Sequence, residues 1–300
     1  MIPAGNVRAR LARLSGPPPG SVGEPPRSPE LAALLARVER LRRRSHQSGG
    51  PPAARLDDLL GGEEIAPGVI RIDRRHPFGQ VCGRYSLGHW LARAGAALPT
   101  PLGDLLFVDT ETSGLAGGSG TIAWMVGLAR IEAATLFTRQ YLITSFAGEA
   151  AMLAAVTREI AAATTLVSFN GKSFDLPLLA TRLRLQRLPE LAVGDHLDLL
   201  HPLRRRFKHE LPDCRQRTLE EHVLGRRRDD DIPGAEAPAI WRSILSPIVD
   251  TALPAMARHN RLDLLGMAGL LHVAATPVKP LSPPRKKNST SAQSLGILQS

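Results

Sequence analysis

The stretch Leu105–Thr121, LLFVDTETSGLAGGSGT, sets two acidic residues, Asp109 and Glu111, at the end of an apolar run and follows them with a glycine-rich segment. On a strand, side chains two apart point to the same face, so both carboxylates project together from the strand's exposed end. Carboxylates so placed repel one another unless a cation lies between them, and a hard divalent ion with oxygen ligands fits that gap. A solvated strand end running into a turn is the other reading, and D-T-E alone does not choose. The loop from Gly114 to Thr121 is equally two-sided: its glycines permit close backbone approach to a phosphate, or make a plain hairpin connection.

Outward from this strand the pattern continues as a sheet. TIAWMVGLARIE and TLFTRQYLIT read as two further strands joined by a turn near Ala133, completing an antiparallel meander. GEAAMLAAVTREIAAA then reads as a helix, TLVSFN as a strand, SFDLPLLATRLRLQ as a helix and HLDLLHPLR as a last strand, before several helices. Three antiparallel strands followed by alternating helices and strands predict an α/β fold, a mixed sheet with helices on both faces.

Two more acidic positions fall where a sheet would bring them near the first pair. In VSFNGKSFDLPLL a buried strand runs into the turn pair Asn170-Gly171, and Asp175 opens the following helix. An ordinary helix cap competes for Asp175. In ARHNRLDLLGMAGLLHVA, His259 and Asp263 share one helix face while Leu264, Leu265, Met267 and Leu270 turn to a core. An imidazole beside a carboxylate suits a general base next to a metal ligand, and a surface His–Asp pair is the plainer alternative.

The order and spacing of these motifs carry a resemblance. D-x-E on a first strand, N-x-x-x-F-D at a later strand–helix junction and H-x-x-x-D on a late helix resemble the three exonuclease motifs of the DEDD superfamily of the ribonuclease H-like fold. With SGLAGGSGT, NGKSFDLPLL, HLDLLHPLRR, TLEEHVLG, DIPGAE and HNRLDLL added, residues 105–273 look like the YprB-type ribonuclease H-like domain, a family of predicted exonucleases. A looser match begins near residue 56, and neither tail is covered. The resemblance implies metal ligation by Asp109, Glu111, Asp175 and Asp263, with two Mg²⁺ or Mn²⁺ ions, and assigns His259 to the attacking water, as base or as its positioner. The better-known branches carry Y-x-x-x-D or H-x-x-x-x-D; here a histidine stands at the shorter, tyrosine-type spacing.

The activity this resemblance implies is 3′–5′ exonucleolytic hydrolysis of single-stranded or frayed nucleic acid. Two alternatives stay open: a catalytically silent nucleic-acid-binding module of the same fold, and a metal phosphoesterase acting on small nucleotides. The formal charge of +10 suits a polyanionic partner, although all but five of the 38 basic residues are arginine, which a biased base composition would also produce. Lys172 beside the second motif and Arg204, Arg205 and Arg206 in HPLRRRFKHE are candidate phosphate contacts, with a solvated face as the alternative. Phe169 and Phe174 are candidates to stack a terminal base, or belong to the core. Asp198 either approaches the metal site or is a buried, hydrogen-bonded acid.

Cys82 and Cys214 are far apart and in no C-x-x-C pair, and with His209 and His222 they form no standard zinc spacing. A reducing cytoplasm is expected, with no membrane span, and no G-x-x-x-x-G-K-[ST] signals a nucleotide-driven motor. The domain plan reads as a basic, Pro/Gly-rich disordered tail over 1–55 with one short helix near 31–41. An accessory strand and helix over 56–104, the main domain over 105–275 and a disordered tail over 276–300 complete it.

Overall fold

The computed structural model describes residues 56–114, 120–246 and 252–276. The helix expected at 31–41, the N-terminal tail, the residues after Thr276 and the middle of the glycine-rich loop lie outside the described residues.

The first described segment supplies helix α1 (Leu56–Leu60), strands β1 (Glu63–Ala66) and β2 (Val69–Pro77), a small hairpin of β3 (Val81–Cys82) and β4 (Tyr85–Ser86), and helix α2 (Leu87–Gly95). The meander comes next as β5 (Leu105–Thr112), β6 (Ala123–Glu132) and β7 (Thr135–Ile143), with Ala133 at φ 50° in its second turn. Then come α3 (Glu149–Ala161), β8 (Thr165–Ser168), α4 (Asp175–Leu185), β9 (Asp195–Asp198), α5 (Leu200–Phe207), α6 (Gln216–Leu219), α7 (Ala237–Ile244) and α8 (Leu253–Ala275).

One seven-stranded sheet runs in the order β1-β2-β7-β6-β5-β8-β9. Neighbours from β1 across to β5 are antiparallel, and β8 and β9 join parallel to β5. The result is the ribonuclease H-like mixed sheet, extended at one edge. The accessory segment supplies that extension, because β2 pairs with β7 along its whole length from Val69↔Ile143 to Pro77↔Thr135.

One expectation fails. HLDLLHPLR is not a single strand: β9 stops at Asp198 and α5 starts at Leu200. Leu199, Leu200, Leu203 and Phe207 are buried at helical spacing, and Pro202 sits in the first turn, where its missing N–H leaves no intrahelical bond unmade.

Both faces of the sheet are covered. Along β5, Leu105 and Phe107 enter one apolar layer with α2, α5 and the C-terminal half of α8, while Leu106 and Val108 enter the other, with α3, α4 and α7. The same alternation puts Asp109 and Glu111 on the Leu105 side, beneath α8. Among the described residues no helix is long and apolar enough to cross a membrane.

Candidate functional site

Asp109 lies directly opposite Gly127 on β6, which lies opposite Gln140 on β7. Fully buried Asn260 of α8 spans all three strands at this level. Its Nδ2 donates to Asp109 Oδ2 at 2.7 Å, and its Oδ1 accepts from Gln140 Nε2 at 2.8 Å. Gln140 Nε2 also donates to the carbonyl of Ala257, so the amide plane is fixed from both ends. Gly127 supplies the room, since a Cβ there would stand 2.1 Å from Asn260 Oδ1. Gly127→Ala is therefore expected to push Asn260 off Asp109 and cost about 1–3 kcal/mol by overpacking, read as a lower urea midpoint.

Glu111, two residues further along β5, is buried and directed at the same α8 face. From the other side comes Asp175, the first residue of α4 rather than its cap. Thr110 Oγ1 donates to Asp175 Oδ1 at 2.5 Å. The turn that delivers Asp175 is tight: Asn170 adopts φ 68°, and a Cβ on Gly171 would meet Ser168 Oγ at 2.5 Å. Asn and Gly are the residues that tolerate such a turn.

The third motif is held by a network that the sequence motifs did not assign. His259 Nδ1 lies 2.9 Å from Asp231 Oδ2, leaving Nε2 facing Asp263 Oδ2 at 3.3 Å. Arg228, almost wholly buried, reaches Asp263 Oδ1 at 2.7 Å and Asp231 Oδ2 at 3.1 Å. Glu220, which is fully buried, accepts from the Arg228 Nη2 at 2.5 Å and Nε at 2.9 Å, and the carbonyl of Leu262 accepts from Nη2 at 3.1 Å. Gly266 on α8 leaves space for that carboxylate, because a Cβ would sit 1.7 Å from Glu220 Oε1. Asp231 and Glu220 occur in DIPGAE and TLEEHVLG, and Asn260 in HNRLDLL. Those strings were visible in the sequence, but the long-range partners were not.

Glu111, His259 and Asp263 each offer one ligand atom, and these lie within 4.8 Å of one another. Asp109 and Asp175 lie near enough for their charges to act on this group. Burial and the charges of Asp263, Glu111 and Asp175 hold the Asp109 carboxyl well above its usual range, although the residue as a whole keeps some solvent exposure. Burial, then Asp263 and Asp175, do the same to Glu111. Burial pushes Asp175 up to about 6, against the opposing pull of the Thr110 hydroxyl. Four carboxylates with Arg228 as the nearest cation are a donor set that fits hard divalent ions, which would relieve this repulsion.

The remaining expected residues are placed less centrally. Asp198 is buried and accepts backbone N–H groups of Asn170, Lys172 and Leu200 at 2.8–3.1 Å, so it shapes the second-motif turn. Lys172 is exposed on that turn, Phe174 is exposed at the start of α4, and Phe169 packs partly buried against the core. Arg204, Arg205 and Arg206 are exposed on α5, and no contact joins them to the acids among the described residues. Cys82 and Cys214 are free thiols.

These features define a class: a ribonuclease H-like α/β domain in which acids from the first meander strand, from the helix after β8 and from the last helix come within electrostatic reach of one another. The family described as the RNase_H superfamily (RNase_H_2) matches residues 106–275, and the chain belongs to it. Over 169 residues the chain is 36% identical to a protein of Bacillus subtilis (strain 168) titled "Uncharacterized protein YprB". That match spans 56% of this chain and 41% of the relative's length, and it accords with a YprB-type ribonuclease H-like domain. Among solved structures, the family B DNA polymerase of Pyrobaculum calidifontis superimposes with a TM-score of 0.45 at 14% identity, covering 77% of this chain and 34% of the polymerase.

Proposed function

We propose that this chain is a DEDD-type exonuclease that hydrolyses phosphodiester bonds from the 3′ end of single-stranded or frayed nucleic acid. The observation that carries the reading is the grouping of Glu111, His259 and Asp263, whose ligand atoms lie within 4.8 Å of one another, with Asp109 and Asp175 close enough to add their charges. A protein that only bound nucleic acid would gain nothing from acids where phosphates must lie.

In this reading the four carboxylates hold two Mg²⁺ or Mn²⁺ ions. The chemistry such ions supply when bound is a lowered pKa for the attacking water and stabilisation of the departing oxygen. The chain's own residues do the rest. Asn260 and Gln140 fix the Asp109 carboxylate, and Thr110 fixes that of Asp175. Asp231 accepts the Nδ1 proton of His259 in a hydrogen bond, so that the unprotonated Nε2 is free to take a proton from water. Arg228 holds one oxygen of Asp263 and leaves the other toward His259. Exposed Phe174 beside Asp175 is placed to stack a terminal base, with Lys172 and Arg204–Arg206 as further phosphate contacts. Free thiols at Cys82 and Cys214 suit a reducing cytoplasm.

His259→Ala is the variant that tests the division of labour. It should lower the cleavage rate about 10²–10⁴-fold, the range for a lost general base, while metal binding by the carboxylates persists. Calorimetry with Mn²⁺ beside single-turnover digestion separates the two. An undiminished rate would remove His259 from the chemistry.

A further inference from the structure

We infer that the arginine-lined cavity on the outer side of α8 binds the phosphate backbone of the nucleic-acid strand whose end reaches the acidic cleft, an inference that rests on the function proposed above. The cavity measures about 360 Å³, and its walls include Arg226, Arg227, Arg228 and Arg258, with Leu262 among them. A second cavity of about 190 Å³ adjoins it and shares Arg226, Arg227 and Arg228. Arg228 belongs to both compartments at once, lining this cavity while its Nη2 touches Asp263. The surface is therefore continuous with the wall of the acidic site.

The wall is built rather than incidental. Gly83 and Gly225 both adopt positive φ, at 77° and 66°, and a Cβ on Gly83 would lie 2.1 Å from the carbonyl oxygen of Leu224. That close approach lets Arg84 N donate to Leu224 O at 2.7 Å, clamping the β3–β4 hairpin to the corner that carries Arg226–Arg228. The accessory segment thus forms one side of the cavity and the family-matched domain the other.

The charge balance points to an anion. Glu220 serves both Arg226 and Arg228, and Glu221 serves Arg227 in an exposed pair. Of the four arginines in the lining, Arg258 has no carboxylate partner among the described residues and donates to the carbonyl of Asp230. The lining holds four guanidinium groups and no carboxylate of its own; neighbouring guanidinium groups are stabilised by phosphate, and a chain of phosphates reaches several of them together. A polymer fits this spread of charge better than a mononucleotide.

The test uses the full chain carrying Asp109→Asn, which blocks cleavage, and a fluorescent oligothymidylate titrated across a KCl series. Adding Arg227→Gln and Arg258→Gln, both at exposed side chains, should raise Kd about 10-fold and reduce the slope of log affinity against log salt by about 1.4. Arg184→Gln, exposed on α4, should match the parent. An unchanged Kd and slope in the double variant, or a loss seen only on replacing Arg204, Arg205 and Arg206, would overturn the assignment. Wild-type chain assayed in parallel on bis(p-nitrophenyl) phosphate with Mn²⁺ reports on the chemistry alone. No hydrolysis there counts against the proposed function, whereas the cavity is decided by the affinity difference.

Discussion

Asp109→Asn is expected to abolish metal-dependent cleavage and, at the same time, to raise the melting temperature of the metal-free protein. The two effects have one cause. In the metal-free chain Asp109 is held among Glu111, Asp175 and Asp263, and its ionisation is opposed by burial and by all three. The isosteric amide keeps an oxygen for Asn260 Nδ2 while removing one of the mutually repelling charges. Each kcal/mol of relief corresponds to about 2–4 °C for a domain of this size.

The sign of the pH dependence comes from the same cluster. A carboxyl whose pKa is higher in the folded than in the unfolded chain binds its proton more tightly when folded, so its ionisation lowers stability as pH rises. For Asp175 that loss develops between its ordinary 3.8 and about 6 and is fully present above. Metal-free wild type should therefore lose stability across this window, and Mn²⁺ should restore it above pH 6. At an ion concentration 100 times Kd the gain is about 2.7 kcal/mol. Thermal melts of wild type and Asp109→Asn, with Mn²⁺ and with EDTA, read both effects. A melting temperature that falls in Asp109→Asn without metal, or an equal Mn²⁺ shift in both proteins, would contradict the repulsive cluster.

The second large effect lies outside the cleft. Glu220→Ala removes the carboxylate that holds Arg228 through both oxygens, at 2.5 and 2.9 Å, and Arg226 at 3.0 Å, at a site with no solvent exposure. Breaking a buried ion pair from one side costs about 3–5 kcal/mol, and here Arg226 loses its carboxylate outright while Arg228 loses one of three. Arg228 would retain Asp231 and Asp263, but without the Glu220 carboxylate behind it the guanidinium would no longer be fixed where it positions Asp263. The neighbouring substitution Glu221→Ala is the natural contrast. Its pair with Arg227 is equally short, at 2.8 Å, but both side chains are more than half exposed. Its loss should cost less than about 1 kcal/mol. Urea unfolding of the two variants compares burial at nearly constant chemistry, and similar losses would refute the ranking.

The acids of the cleft were legible in the sequence because each stands at a junction with a local signature. Asp109 and Glu111 end an apolar strand two apart, Asp175 comes after a turn pair that closes a buried strand, and His259 and Asp263 are one helical turn apart. The meander was legible for the same reason, since its hydrophobic runs alternate between two covered faces. Misreading Leu200–Arg204 as strand came from HLDLL, whose alternation is genuine through Leu197 but passes into helical spacing at Leu199. The parts that stayed hidden depend on partners distant in sequence. Gly127 and Gln140 are a glycine and a polar residue within strands, and only α8 lying across them reveals why. Arg228, Asp231 and Glu220 belong to irregular chain or short helical turns, and their charges find one another only after α8 is docked. Strand β2 was likewise half visible: the alternation of Val69–Asp73 predicted a strand, but its pairing with β7 is a matter of register across the fold.

The most direct measurement is digestion of 3′-labelled and 5′-labelled single-stranded DNA and RNA by wild type and Asp109→Asn, each with Mn²⁺, Mg²⁺ or EDTA. The account predicts stepwise release of mononucleotides from the 3′ end by wild type with metal, and none with EDTA or in the variant. Tight binding of the strands with no cleavage under any metal, or cleavage that survives Asp109→Asn, would contradict it.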